Sequence, residues 1–270
     1  MKKNIHIFLM SAALLVSACN DSFLDRMPHD KLTDANFWQT EQHLRSVTNT
    51  FTGSLVGKEW LNKTEIAGDS APWAISTAWR NIGGGYFSSD ISQINSVWYA
   101  AYSGIGKTNY FLNNYNRATG VKEEVRERYA AEAYNYWILT SFFGDVPLIT
   151  EELNLESPDV YRGRDKREDV IERITKDLED HYKALPEHIE AGSADFGHIS
   201  QTAALALLSR IYLYNGRYGD AVSACERAMT STYYKLYNTG HPESDYLDLF
   251  TYKGRASRNK ANHETILSFI

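Results

Sequence analysis

The chain has 270 residues, a formal net charge of −6 and a hydrophobic content of 43%. That length fits one large domain or two small ones, and the hydrophobic share excludes a disordered chain. The acidity argues against nucleic acid as a partner, because such partners select a basic surface.

The N-terminus reads as an export signal. Lys2 and Lys3 precede a mostly apolar run, Ile5 to Val16, which ends in Leu15-Val16-Ser17-Ala18-Cys19. A positive start, about a dozen apolar residues and small residues at the cut make a secretory signal. The run is shorter than the roughly 20 residues that span a bilayer. Small residues before a cysteine resemble the bacterial lipobox, which implies cleavage before Cys19 and acylation of its thiol. The reading is therefore a signal peptide over 1–18 and a lipid-anchored chain from Cys19. Removing 1–18 takes away two lysines and no acid, which leaves a net charge of −8. Only Cys225 remains beyond Cys19, so no disulfide pair is available within the exported chain.

Residues 19–32 read as anchor and extended lead-in, with turn formers, charges and Pro28. Thr33 or Asp34 is placed to cap a helix that runs to about Phe51. Phe37, Trp38, Leu44, Val47 and Phe51 fall on one stripe of that helix. From 53 to 89 the periodicity is lost, while Trp60, Trp73, Trp79, Tyr86 and Phe87 accumulate. Long irregular segments in a compact domain are usually functional. Gly83-Gly84-Gly85 lacks the Lys-Ser/Thr of a phosphate loop and reads as a flexible turn.

Helical patterning returns from about Ile91 to Tyr115, with Ile94, Val97, Trp98, Ala101, Ile105, Thr108 and Leu112 on one side. A further helix is expected from Val121 to about Phe142, ended by Gly144-Asp145-Val146-Pro147. Asp165 and Glu168 have the spacing of a capping box at the head of the next helix. Its stripe is Ile171, Ile174, Leu178, Tyr182 and Leu185, and Pro186 closes it. Arg162, Arg164, Lys166 and Arg167 cluster at its entry and read as a solvated helix start rather than an anion site.

Ser200 is placed to cap a helix over 201–214, followed by an Asn215-Gly216 turn and a helix from about Asp220 to Met229. Leu208, Ser209, Tyr212, Ala221, Cys225 and Ala228 fall where a tetratricopeptide repeat puts its packing residues. Cys225 is accordingly read as buried. After Thr230 the pattern fades, and Glu264 to Ile270 reads as the start of a strand.

Taken together the segments resemble the SusD/RagB family of outer-membrane glycan-binding lipoproteins of the Bacteroidetes. The residues that carry this are the lipobox with Phe23-Leu24-Asp25-Arg26 and Pro28, then Asn36-Phe37-Trp38 with Thr40-Glu41. Ala131-Glu132-Ala133 through Phe143-Gly144-Asp145-Val146-Pro147-Leu148 follows. Asp177-Leu178 to Leu185-Pro186 comes next, and Ala203 to Tyr214 with Gly216-Arg217-Tyr218 closes the series. The resemblance implies a mostly α fold of tetratricopeptide-like helical hairpins with long irregular loops, of which 33–270 is the N-terminal helical part of a longer protein, truncated at its C-terminus. It implies a cell-surface protein that captures glycan for a TonB-dependent, SusC-like barrel transporter. The alternatives are a membrane-anchored tetratricopeptide scaffold for proteins, or a peptide-binding member of the same importer family.

In such a loop, aromatic planes stack on the apolar faces of sugars and polar groups fix their hydroxyls. Trp73 and Trp79 are the stacking candidates, and Asp69, Arg80 and Asn81 the hydrogen-bonding ones. Core packing under the loop is the competing reading of both tryptophans. Trp38, Trp98 and Trp137 lie on helix stripes and read as core, and Trp60, closer to the helix boundary, reads as core as well. No enzyme is expected. There is no HExxH or CxxC pattern, Glu151-Glu152 are adjacent rather than opposed, and Asp177 with His181 reads as a solvated pair rather than a metal site. No cofactor or metal is expected.

Overall fold

The structure, a computed structural model, describes residues 37–52, 65–68, 78–118, 126–190, 193, 195–251 and 262–267, with backbone alone at 52 and 126–132. Cys19, the signal over 1–18, the lead-in, the caps at Thr33 and Asp34, Trp60, Asp69 and Trp73 lie outside the described residues.

The architecture is helical, with no strand among the described residues. The α-helices are α1 (Glu41–Thr52), α2 (Ala78–Gly83), α3 (Ser92–Asn114), α4 (Arg126–Phe143), α5 (Arg167–His181), α6 (Gln201–Tyr214), α7 (Tyr218–Met229) and α8 (Pro242–Leu249). From α3 to α7 each helix packs on the next in sequence, and α1 lies against α3 and α4. Of these helices only α6 and α7 are joined by a short turn, which makes them an antiparallel hairpin.

The stripes read from spacing are the buried ones. Trp38, Leu44 and Phe51 close on Phe111 and Ala118 in a first cluster. Ile171, Ile174, Leu178, Tyr182 and Leu185 join Leu205, Leu208, Ile211 and Tyr212 in the main core. Helix α4 is central: every residue from Asn135 to Thr140 is buried. A stretch buried on all sides needs neighbours on all sides, and α1, α3, α5 and α6 supply them.

Helix α4 ends at Gly144, whose φ of 68° is the left-handed conformation that glycine adopts without strain. Its N–H donates to the Thr140 carbonyl at 3.2 Å. The chain then runs extended through 146–152, with helices rather than strands beside it. Apart from one isolated bridge, in which the Asp165 N–H donates to the Val146 carbonyl at 3.1 Å, its backbone groups are satisfied by side chains. The Tyr102 hydroxyl donates to the Pro147 carbonyl at 2.8 Å, and Asn109 Nδ2 donates to the carbonyls of Ile149 and Glu151 at 3.1 Å each. The buried Tyr136 hydroxyl accepts from the Ile149 N–H at 2.5 Å and donates to the Ile149 carbonyl at 2.6 Å. Asp165 Oδ2 accepts from the Leu148 N–H at 2.8 Å. Burial of such groups without partners is costly, so these side chains are what permits an extended segment among helices.

Several expectations are corrected. Asp165 does not cap α5. Lys166 holds the cap position without a side-chain bond, and Asp145 supplies the carboxylate, accepting from the Arg167 N–H at 2.9 Å. Asp165 is instead committed to Leu148 and to a bidentate pair with Arg162, at 2.9 and 2.7 Å. Arg162 holds its carboxyl below the usual range, against the opposing effect of burial. Ser200 does cap α6, accepting from the Ala203 N–H at 3.2 Å. Cys225 is exposed rather than buried. In α7 it is Ala221 and Ala224 that face α6, at a three-residue spacing. The side of α7 that carries Cys225 also carries exposed Val222, and among the described residues no helix after Thr230 stacks on it. The segment 264–267 is not a strand; it is tied back by Lys235 N–H to the His263 carbonyl at 3.1 Å and by Tyr237 N–H to Glu264 at 2.7 Å. Helix α8 was missed, although Pro242 and Glu243 in its first turn are a start signal.

The α5–α7 end is held by one charged cluster. Arg227 on α7 makes a bidentate pair with Glu179 on α5, at 2.6 and 2.7 Å, and lies over the Tyr182 ring at 5.2 Å. The Tyr212 hydroxyl on α6 donates to Glu179 at 3.2 Å. The hydrogen bonds from Arg227 hold the Glu179 carboxyl below its usual range. Burial, reinforced by that carboxylate, pushes the Tyr212 phenol up to about 12.

Two outcomes follow from these contacts. Tyr136→Phe leaves the Ile149 N–H buried without its acceptor and is expected to cost about 1–3 kcal/mol in chemical denaturation. For Glu179 the folded-state pKa is depressed, so its stabilisation is present above the usual glutamate value of 4.5 and fades as the pH falls through the lower folded value. Glu179→Gln should therefore melt below wild type at pH 7, and the gap should close as the pH falls below that value. A gap that stays constant with pH in thermal melts would remove the Arg227 pair as its cause.

Candidate functional site

The expected loop over 53–89 is partly helical: α2 forms within it, and residues 65–67 make one helical turn. The three glycines are an ordered cap and not a flexible turn. The Tyr86 N–H donates to the Asn81 carbonyl at 2.8 Å and the Gly85 N–H to the Ile82 carbonyl at 3.0 Å. This pair of bonds, with Gly85 at φ 78°, is a Schellman ending. Gly83 is needed for a different reason. A Cβ there would stand 1.8 Å from the Ala67 carbonyl oxygen, so only glycine lets the turn at 65–67 lie on α2.

This cap turns the chain into α3 and opens a cleft of about 500 Å³. One wall is Trp79 and Ile82 of α2 with Phe87 of the turn, and the other is Ile94 and Trp98 of α3. Phe142 and Phe143, at the end of α4, complete the lining, and exposed Arg164 stands at its rim. Phe87 and Phe142 are 48% and 54% exposed, unusual for phenylalanine side chains that meet at a concave surface. Ser89 and Asn95 supply polar groups to the lining.

The rings are held in place. Trp98 meets Phe143 edge to face at 5.0 Å and Tyr102 at 4.9 Å. The Arg164 guanidinium lies 5.8 Å from the centre of the Trp98 ring, and its Nη1 donates to the Asp145 carbonyl at 3.4 Å. Trp79 packs with Tyr134 and Phe143 on buried Val97 and Ile138. Burial raises the Tyr102 phenol well above its usual value, so it stays a hydroxyl donor to Pro147 throughout the neutral range.

Of the residues singled out from sequence, Trp79 is brought to the cleft, and it combines both roles weighed for it: part of its ring is core and part is lining. Arg80 and Asn81 are exposed on α2 but do not line the cleft. Asp69 and Trp73 lie outside the described residues. Trp38 and Trp137 are core as expected, whereas Trp98 is half-buried and lines the cleft. Phe142, Phe143, Asn95 and Arg164 were not anticipated. Adjacent phenylalanines at a helix end, just before the Gly144 stop, were the available signal for the first two. Asp177 is paired with Arg173 at 2.6 Å, and Glu152 accepts from Asn113 at 3.2 Å. Among the described residues no group of His, Cys, Asp and Glu could hold a metal ion, and no helix is long and apolar enough to cross a membrane.

Comparison with known proteins supplies the frame. A family model for SusD-like proteins, described as starch-binding and associating with the outer membrane, matches residues 22–213. A SusD-like protein of Bacteroides ovatus is 26% identical over 97% of this chain, which spans 48% of that relative. The chain thus covers about half the length of this relative. The crystal structure of a SusD-like protein from Bacteroides fragilis superposes with a TM-score of 0.75 at 24% identity, over 90% of this chain and 47% of its own. Surface glycan-binding protein A of Bacteroides thetaiotaomicron, solved in complex with laminarihexaose, superposes with a TM-score of 0.65 at 20% identity, over 81% of this chain and 48% of its own.

Proposed function

The chain belongs to the SusD-like family of starch-binding proteins associated with the outer membrane, and on that premise we propose that it captures oligo- or polysaccharide at the cell surface and passes it to a TonB-dependent, SusC-like transporter. The observation that carries this reading is the aromatic cleft, in which Trp79, Phe87, Trp98 and Phe142 surround a space large enough for sugar rings. Trp73 and Asp69 are proposed to extend it, with Arg80 and Asn81 as outlying hydroxyl partners. The laminarihexaose complex of a protein with the same fold supports an oligosaccharide as the ligand.

Magnitudes set what the cleft has to do. A ring that covers about 40 Å² of apolar sugar face contributes about 1 kcal/mol. A millimolar complex needs about 4 kcal/mol. One tryptophan is insufficient, whereas three or four rings with a few hydrogen bonds reach that range. Such weak binding suits a protein that releases its cargo. The proposed role is binding without catalysis.

The remaining parts of the proposal concern attachment and partner. Residues 1–18 act as the signal, Cys19 carries the lipid, 19–32 spaces the domain from the membrane, and 33–270 forms the helical domain. A thioether-linked lipid contributes about 0.8 kcal/mol per buried CH₂, so two or more chains anchor the protein stably. The transporter contact is placed on the α6–α7 hairpin, whose outer side exposes Leu213, Tyr218, Val222 and Met229.

Trp79→Ala combined with Phe142→Ala should abolish retardation in affinity gels that contain starch or laminarin, with the circular-dichroism spectrum unchanged. Retardation equal to wild type would remove the cleft as the site. For the anchor and the partner, a tagged protein pulled down from solubilised outer membranes should bring a large barrel transporter. Cys19→Ala should move the protein to the soluble fraction. Recovery without any barrel would leave the protein-scaffold reading in place of import.

A further inference from the structure

The basic run that opens α5 is divided by the fold into two different roles. Arg162 is consumed by Asp165 in its bidentate pair, with Asp159 at 3.7 Å. Arg164, two residues on, is not. Its contacts are one long hydrogen bond to the Asp145 carbonyl and the face of Trp98, and among the described residues no carboxylate pairs with it. It is exposed at the rim, and it is the sole charged side chain in the cleft lining among the described residues. A lone cation at the mouth of an aromatic cleft, on a chain with net charge −6, runs against the average field of the protein.

We propose that Arg164 selects glycans carrying an anionic substituent, a carboxylate or a sulfate ester, by pairing with it while neighbouring sugar rings stack on the aromatic walls. This rests on the glycan-binding reading of the same cleft. The guanidinium is a planar fork of five N–H donors that matches a carboxylate or sulfate bidentately. One donor is engaged with the Asp145 carbonyl at 3.4 Å and the cation lies over the Trp98 ring at 5.8 Å, so part of the cost of ordering the side chain is already met. Polar uncharged groups, Ser89 and Asn95, complete the lining, and no acid in it would repel the anion.

The test compares, within each of two glycan backbones, ligands that differ in charge alone. Oligogalacturonate with its methyl ester, and a sulfated galactan oligosaccharide with its desulfated form, are titrated against the intact protein by calorimetry. The expected result is preference for a charged form over its neutral counterpart. Arg164→Gln should lower binding of the charged ligand by about ten- to a hundred-fold more than binding of its neutral form, with the circular-dichroism spectrum retained. Arg164→Lys should recover a part of it, and added salt should weaken only the charged ligand. Preference for oligogalacturonate or for the sulfated oligomer identifies which anion is read. Equal binding of charged and neutral forms, or a preference that persists in Arg164→Gln, overturns the proposal and leaves the glycan reading intact. Binding of none of these, nor of starch or laminarin, overturns both.

Discussion

The structure depends on one constraint: an extended segment, 146–152, runs among helices, and its peptide groups have to be paired there without a sheet. Four side chains from three places do this. Tyr102 and Asn109 reach from α3, Tyr136 from α4, and Asp165 from the entry to α5, while Asn113 on α3 holds the Glu152 side chain. The polar residues that a helix stripe would exclude are therefore buried by necessity, Asn109 and Tyr136 above all. Since each links its helix to the same segment, the segment fixes how α3, α4 and α5 sit relative to one another.

That placement is what builds the cleft. Trp98 lies one turn before Tyr102 on α3, and Phe143 is the last residue of α4 before the Gly144 cap. When Tyr102 binds Pro147, Trp98 is carried against Phe143, and Arg164 is brought over it from the chain that leads into α5. Asp145 joins the two ends, accepting from Arg164 through its carbonyl and from the Arg167 N–H through its carboxylate. The Phe-Gly-Asp-Val-Pro-Leu run is thus a structural junction whose by-product is an aromatic surface facing solvent. The far side of the cleft depends on α2, which the Gly85 cap aims towards α3 and which Gly83 lets pack on the turn at 65–67.

Much of the fold was legible because periodicity reports burial directly. The ends of α3, α5 and α6 were read nearly correctly, whereas α1 starts at Glu41 and leaves Phe37 and Trp38 ahead of it; Ala221 and the Asn215-Gly216 turn located the α6–α7 hairpin. The misreadings share a cause: spacing on one element says nothing of what other elements bring to it. Asp165 had the spacing of a cap, but Asp145, 22 residues before Arg167, took that place. Cys225 had a packing position in a repeat, but among the described residues no helix covers it on α7. The cleft was half visible for the same reason. Trp79 was found by composition, while Phe142 and Arg164 join it across more than 60 residues of sequence.

The account reduces to the statement that this junction-built cleft holds sugar. The most direct measurement is a crystal structure of the protein with an oligosaccharide that it retains, chosen from a glycan array. A sugar ring stacked on Trp79, Phe87, Trp98 or Phe142, with Arg164 in reach of its substituents, is the predicted result. A sugar bound elsewhere with the cleft empty, or an array with no retained glycan, would contradict it.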